Sequence, residues 1–279
     1  GLNKIKVNYP NTEQFFLPYS SYRNMGVVID TISPDIIVHT AGMTNVDECE
    51  INKEECLNVN SDLAGNMAKL AFSKGICFTH ISTDHFYDGK GSFYKESDPT
   101  NSVNIYAKSK LDAEKNVLNE YPNSLIIRTN FYGFGNKIKQ SFSDWIINSL
   151  LENIEINVFQ DVYYTPILID ELVKCINILW ENDATGIFNV VSSQRVSKYE
   201  FALKIAKTFG LGSKYIKKGS IKKSSLLAKR PFDMSLSNQK FIRLTNYIPL
   251  NLDQSIKELY YQFEEGRIND INRGFKINT

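Results

Sequence analysis

Four short runs along the chain are apolar on both faces. "PDIIVHTAG" reads as a strand over Ile36–His39 that ends in small residues, and "GICFTHIST" as a second over Ile76–Ser82. "NSLIIRTN" gives a third over Leu125–Arg128, and "TGIFNVV" a fourth over Ile187–Val190. Strands with no polar alternation suit a parallel sheet covered by helices on both sides. The intervening segments carry helical periods. After Asp47, apolar residues recur at Cys56, Val59, Leu63, Met67 and Leu70, and Gly75 closes that helix. Leu111, Glu114, Val117 and Leu118 repeat the period, and Pro122 ends the element. "LIDELVKCINILWE" is a further amphipathic helix leading into the fourth strand. The alternation predicts an α/β protein with a doubly wound parallel sheet.

The tail reads differently. "VSKYEFALKIAKTFG" is a helix with Ser197 and Glu200 as a capping box and Gly210 as its stop. "LDQSIKELYYQFEEG" is a late helix closed by Gly266, and the stretch between the two is polar and basic. No long strand run follows residue 192, so a smaller, mainly helical unit is expected beside the sheet.

Composition adds limits. Among 279 residues, 42% are apolar, enough for a large core, and the net charge of +1 gives no field for nucleic acid or an anionic membrane. No run approaches the ~18 apolar residues of a membrane-crossing helix, and no signal peptide opens the chain. Cys49, Cys56, Cys77 and Cys175 form no C-x-x-C pair and read as reduced thiols of a cytoplasmic protein. His39, His80 and His85 do not form a metal set, because no Cys or carboxylate stands at ligand spacing.

Candidate chemistry centres on Tyr106 and Lys110. Four residues apart on a helix, they share a face. A phenol is a poor acid or base near neutrality unless a neighbouring ammonium favours its anion. Ser82 and Thr83 stand at the carboxyl end of the second strand, where open α/β sheets place ligands. A hydroxyl there suits a carbonyl oxygen that gains charge. The set would relay a proton between an alcohol and a ketone. With 15 Tyr and abundant Lys, a Tyr-x-x-x-Lys pair arises about once by chance, so its placement after the hydroxyl-ended strand carries the weight.

At these residues the chain resembles the extended short-chain dehydrogenases/reductases, and within them the dTDP-4-dehydrorhamnose reductase branch. "SPDIIVHTAGMTNVDECE", "NVNSDLAGNMAKLA", "HISTDHFYDGKGSFYKESDP", "NIYAKSKLDAEK", "LIIRTNFYG", "FNVVSSQRVSKYEFALKIAKTFG" and "KRPFDMSLSNQK" follow family order between residues 34 and 240. The resemblance implies a Rossmann-like fold that binds NADP or NAD and reduces a nucleotide-linked 4-keto deoxysugar. Tyr106 would protonate the keto oxygen, Lys110 would lower the pKa of Tyr106 and bond the nicotinamide ribose, and Thr83 would hold the substrate oxygen. Ala41, Gly42, Asn60 and Ser82 would join Tyr106 and Lys110 around the cofactor. Thr44, Val46, Thr83, Phe131 and Arg230 would meet the substrate, with Arg230 at the nucleotide diphosphate. Plainer roles stay open: a turn cap for Thr83, a buried hydrogen-bonder for Asn60, loop packing for Thr44 and Val46, core packing for Phe131, and solvated surface for Arg230 and for Lys214, Lys217, Lys218, Lys222 and Lys223. Asp84 and Asp88 are given a turn-shaping role around Gly89.

The implied division is residues 1–135 as a dinucleotide-binding domain, 136–160 as an excursion into a substrate domain, 161–191 as a return, and 192–279 as the substrate-binding domain. A homodimer is compatible with the resemblance, and neither a nucleic-acid polymer nor a membrane is implied as a partner. The family's first strand, glycine-rich turn and first helix have no counterpart in "GLNKIKVNYPNTEQ". A sheet without its central first strand would expose long unpaired edges, so these elements are expected outside the given residues. "STDHFYDG" and "YYTPILIDELV" also depart from family pattern near the expected sugar pocket, which leaves the particular sugar open. An epimerase or dehydratase of the same fold, or a non-catalytic regulatory subunit, are the alternative readings.

Overall fold

The computed structural model describes residues 22–135 and 140–267. The opening segment without a glycine turn lies outside the described residues. In chain order the elements are α1 (Tyr22–Ile32), β1 (Ile36–His39), α2 (Val46–Ile51), α3 (Lys53–Leu57), a π-helical turn (Asn58–Asp62), α4 (Leu63–Ser73), β2 (Cys77–Ile81) and α5 (Ile105–Glu120). There follow β3 (Leu125–Arg128), β4 (Phe131–Tyr132), α6 (Phe142–Leu151), β5 (Ile156–Phe159), β6 (Tyr163–Tyr164), β7 (Ile167–Leu168), α7 (Ile169–Glu181) and β8 (Gly186–Asn189). The chain continues with β9 (Val196–Ser197), α8 (Lys198–Thr208), β10 (Ile216–Gly219), α9 (Gln239–Thr245) and α10 (Leu252–Glu264).

The four expected strands pair in parallel in the order β1-β2-β3-β8. Alternate side chains leave the sheet on opposite faces. Ile126 packs with Leu63, Ala68, Ala113 and Val117 beneath α4 and α5. Leu125 and Ile127 pack with Leu172, Cys175, Leu179 and Phe241 beneath α7 and α9. Both faces are therefore covered, as the unbroken apolar runs required. A third core joins α6, β5, α8 and α10 around Ile146, Ile147, Phe201, Ile205, Ile256 and Leu259.

Local signals hold where they were strong. Ser197 and Glu200 form the capping box of α8, and Asn104 caps α5 by accepting from Ala107 N–H. Gly210 and Gly266 end their helices with positive φ, which glycine adopts without steric cost. The single helix expected between Asp47 and Gly75 is instead broken. Asn45 caps α2, Asn52 leaves helical geometry, and a π turn follows α3. The added residue of that turn rotates Asn60 inward. The two-residue strands carry no periodic signal of their own and form only where distant partners supply the pairing.

One buried ion pair ties the sheet to α5. Arg128 of β3 grips Glu114 of α5 through Nη2–Oε2 at 2.7 Å and Nε–Oε1 at 3.0 Å. Ser82, just past β2, donates to Glu114 Oε1 at 2.6 Å, and Arg128 Nη1 donates to Tyr87 Oη at 3.0 Å. Arg128→Met would leave the Glu114 carboxylate buried without its partner. The expected loss is about 3–5 kcal/mol of unfolding free energy, read from urea midpoints, with a smaller loss when Glu114→Gln is added to the same chain.

Candidate active site

Tyr106, Lys110 and Glu114 recur every four residues and share the sheet-facing side of α5. Asn104 fixes the start of this helix: its side chain caps Ala107 N–H and donates to the Lys229 carbonyl at 2.8 Å. Glu50 of α2 accepts from Ile105 N–H at 2.8 Å. The first turn is thus held by α2 and by the 228–230 segment, and Asp47 in turn accepts from Ala228 N–H and Arg230 Nη2.

Tyr106 and Lys110 line a cavity of about 200 Å³ with the loop Thr40–Thr44, Ile81, Ser82 and Phe131. Ile169, Leu172, Val173 and Ile176 form its apolar wall. It opens at the carboxyl end of β1 and β2, where parallel sheets bind ligands. A cavity of about 350 Å³ lies at the amino end of the strands, around Ile36, Cys77, Leu125 and Trp180, away from these groups.

Asn60 braces the cavity loop, as expected of it. Its Oδ1 accepts from Met43 N–H at 2.6 Å, and its Nδ2 donates to the Met43 carbonyl at 3.1 Å and to Ser109 Oγ at 2.8 Å. A Cβ on Gly42 would stand 2.9 Å from Asn60 Oδ1, so the loop can follow this course only with glycine there. Ala41, Gly42, Thr44 and Ser82 line the same cavity, and the Ser82 hydroxyl donates to Glu114. Phe131 is half exposed at the cavity edge rather than part of the core.

Two expectations need correction, for Val46 and for the Tyr106 phenol, while Arg230 stays free for the role expected of it. Val46 does not face the cavity; it is buried among Cys49, Cys56, Tyr106 and Ala228. Arg230 lies apart, in a second cavity of about 370 Å³ with Lys222, Ser224, Lys229 and Phe232. The Tyr106 phenol is raised rather than lowered, although Lys110 shares its helix face; the Lys110 ammonium donates to the Ile81 carbonyl at 2.8 Å and contacts His80 Nε2 at 3.2 Å. Burial pushes Tyr106 up to about 12, with Asp84, Cys49 and Cys56 adding to the rise and a contact from Thr83 opposing it. Burial also brings Lys110 down to about 8 against the pull of Glu114.

Thr83 is buried beside Tyr106, and Asp84, expected to shape the turn around Gly89, is instead buried against His85 and Asn130. His85 Nδ1 lies 2.8 Å from Asp84 Oδ1 and 3.2 Å from Thr83 Oγ1. Asn130 Nδ2 donates to Asp84 Oδ2 at 2.7 Å. The His85 ring stands edge-on to Tyr106, centroids 5.4 Å apart. Its only signal was the departure in "STDHFYDG". Lys198 gave none. Its ammonium lies 3.4 Å from the Tyr164 ring centroid and 4.9 Å from that of Phe142, and burial lowers it to about 8 while Asp84 raises it.

All four cysteines are free thiols. Among the described residues no cluster of three His, Cys, Asp or Glu could hold a metal ion, and no helix is long and apolar enough to cross a membrane.

Comparison with known proteins shows what the chain is similar to. A family model described as the RmlD substrate binding domain matches residues 19–265. A probable low-salt glycan biosynthesis reductase of Haloferax volcanii is 30% identical over 187 residues, 66% of this chain. The aligned region spans 62% of that relative's length. The structure of a dTDP-4-dehydrorhamnose reductase from Clostridium acetobutylicum superposes with a TM-score of 0.82 at 26% identity, covering 89% of this chain and 88% of the other. That of the Bacillus anthracis dTDP-4-dehydrorhamnose reductase, in complex with NADP, gives 0.82 at 25% identity, with 88% and 87% covered.

Burial brings His39 down to about 4 from 6.5, with Lys110 adding to the effect. Its folded pKa is below the unfolded one, so the neutral ring's contribution is full above about 6.5 and is lost as pH falls through about 4. Chemical denaturation at pH 7 and pH 4 should show a steeper acid loss in the native chain than in His39→Asn, by up to about 3 kcal/mol.

Proposed function

The chain belongs to the RmlD substrate binding domain family, and from that membership we propose that it is an NAD(P)H-dependent reductase of a nucleotide-linked 4-keto deoxysugar. The observation that carries this reading is Tyr106 and Lys110 on one face of α5, lining a cavity at the carboxyl end of β2 with Thr83 against the phenol. In this reading residues 1–135 and 161–191 serve the dinucleotide, and residues 136–160 and 192–279 serve the sugar nucleotide.

The residues present fit a nicotinamide. The loop at Gly42 has no room for a Cβ, so backbone is presented there, and Ile169, Leu172 and Val173 offer an apolar wall for a flat ring. Two N–H groups of Lys110 are engaged, and the third is left for a ribose hydroxyl. When bound, the reduced nicotinamide supplies the hydride for the carbonyl carbon. Thr83 holds the carbonyl oxygen, and Tyr106 delivers the proton to it. A phenol raised to about 12 stays protonated at neutral pH and is an acid in reserve until charge grows on that oxygen. Lys222, Lys229 and Arg230 suit the diphosphate, in a cavity joined to α5 by the bond from Asn104 to the Lys229 carbonyl. Arg230 keeps donors to spare, since Asp47 and the Ala228 carbonyl engage only part of its fork.

Mixing the protein with NADPH or NADH and a panel of 4-keto nucleotide sugars should consume the nicotinamide absorbance. Tyr106→Phe should lower kcat by about 100-fold or more, with KM little changed. An epimerase would convert sugar with no net loss of added cofactor, and a regulatory subunit would bind without turnover. Either outcome would overturn the assignment.

A further inference from the structure

His39 and His80 stand opposite each other at adjacent ends of two parallel strands. Their rings stack with centroids 5.3 Å apart, and their Nδ1 atoms lie 3.1 Å apart. On the other side of the His80 ring, Nε2 is 3.2 Å from Lys110 Nζ. Lys110 also donates to the Ile81 carbonyl at 2.8 Å. The relative exposures of His39, His80 and Lys110 are 6%, 0% and 6%, so all three are buried.

The chemistry of the three groups fixes where the protons sit. An ammonium has only donors, so His80 Nε2 accepts from it. The His80 proton is then on Nδ1 and is donated to His39 Nδ1. The His39 proton is left on Nε2, which has no partner among the described residues. Both tautomers follow from the charge on Lys110.

Resting on the reductase reading above, we infer that His80 and His39 are positioning residues for Lys110: the stacked imidazoles hold its ammonium at the sheet edge with one N–H free for a ligand hydroxyl. A single carbonyl would leave Nζ free to rotate about the Ile81 bond. A second acceptor on a rigid ring removes that freedom, and His39 keeps His80 in the accepting tautomer. Only neutral rings can serve. Burial, with Lys110 close by, pushes both imidazoles below their ordinary range. The other groups facing this ammonium are Glu114, paired with Arg128 of β3, and Tyr106 one turn back. Cys56 of α3 reaches Ser109 on the same helix.

Two measurements test this. Long-range ¹H–¹⁵N spectra of the protein without added cofactor or sugar should show His80 as the Nδ1–H tautomer and His39 as the Nε2–H tautomer at pH 7. Finding His80 protonated on Nε2 would overturn the inference even if no sugar is ever turned over, so its failure is separable from that of the reductase reading. In the assay, His80→Phe removes a bond that favours the ammonium. The alkaline limb of kcat should therefore move to lower pH, and kcat at neutral pH should fall roughly tenfold, with KM for the sugar unchanged. His80→Gln, whose amide oxygen can accept, should recover most of the loss. An unshifted pH profile in His80→Phe would assign the rings to packing alone. Should that variant fail to fold, the tautomers of the native chain still decide.

Discussion

Glu114 and Arg128 are buried together, and the placement of the reactive groups depends on their bond. The pair joins α5 to β3, and Ser82 adds the residue after β2. Tyr106 and Lys110 lie two turns and one turn before Glu114 on the same helix face. Fixing the carboxylate therefore fixes the rotation of the helix, and that rotation decides whether phenol and ammonium face the cavity. A buried ion pair is weak evidence for net stability, because desolvation offsets much of its attraction. Its directional, multidentate geometry is what a helix needs in order to be held in one register.

Burial sets the electrostatics of the site. It raises the Tyr106 phenol and lowers the Lys110 ammonium, so each is disposed towards its neutral form. The imidazoles of β1 and β2 are neutral for the same reason. In so buried a cluster, charge developing on a substrate oxygen would be weakly screened and strongly felt. Lys198, resting on Tyr164 and Phe142 and sensed by Asp84, extends this pattern to the helical part of the molecule.

Much of the architecture was legible in one dimension because it rests on local rules. Both-face apolar runs gave the strands of the sheet. Capping residues and positive-φ glycines gave the ends of α8 and α10. The four-residue spacing of Tyr106, Lys110 and Glu114 put them on one face before any packing was known. The contributions of His39 and His80 were not legible. His39 and His80 are 41 residues apart and meet only because β1 and β2 pair in a particular register. Asn60 turns inward because a π turn interrupts the helical period that predicted one continuous helix.

Sequence alone determined the sheet class, the helix that carries the reactive pair and the hydroxyls that end β2, since each is encoded by neighbours along the chain. Tertiary structure alone decided that Val46 is core, that Arg230 belongs to a second cavity and that the Lys110 ammonium faces His80 and the Ile81 carbonyl. Those outcomes depend on which strands lie side by side and on how much water the packed interior excludes. Neither quantity is a function of local spacing.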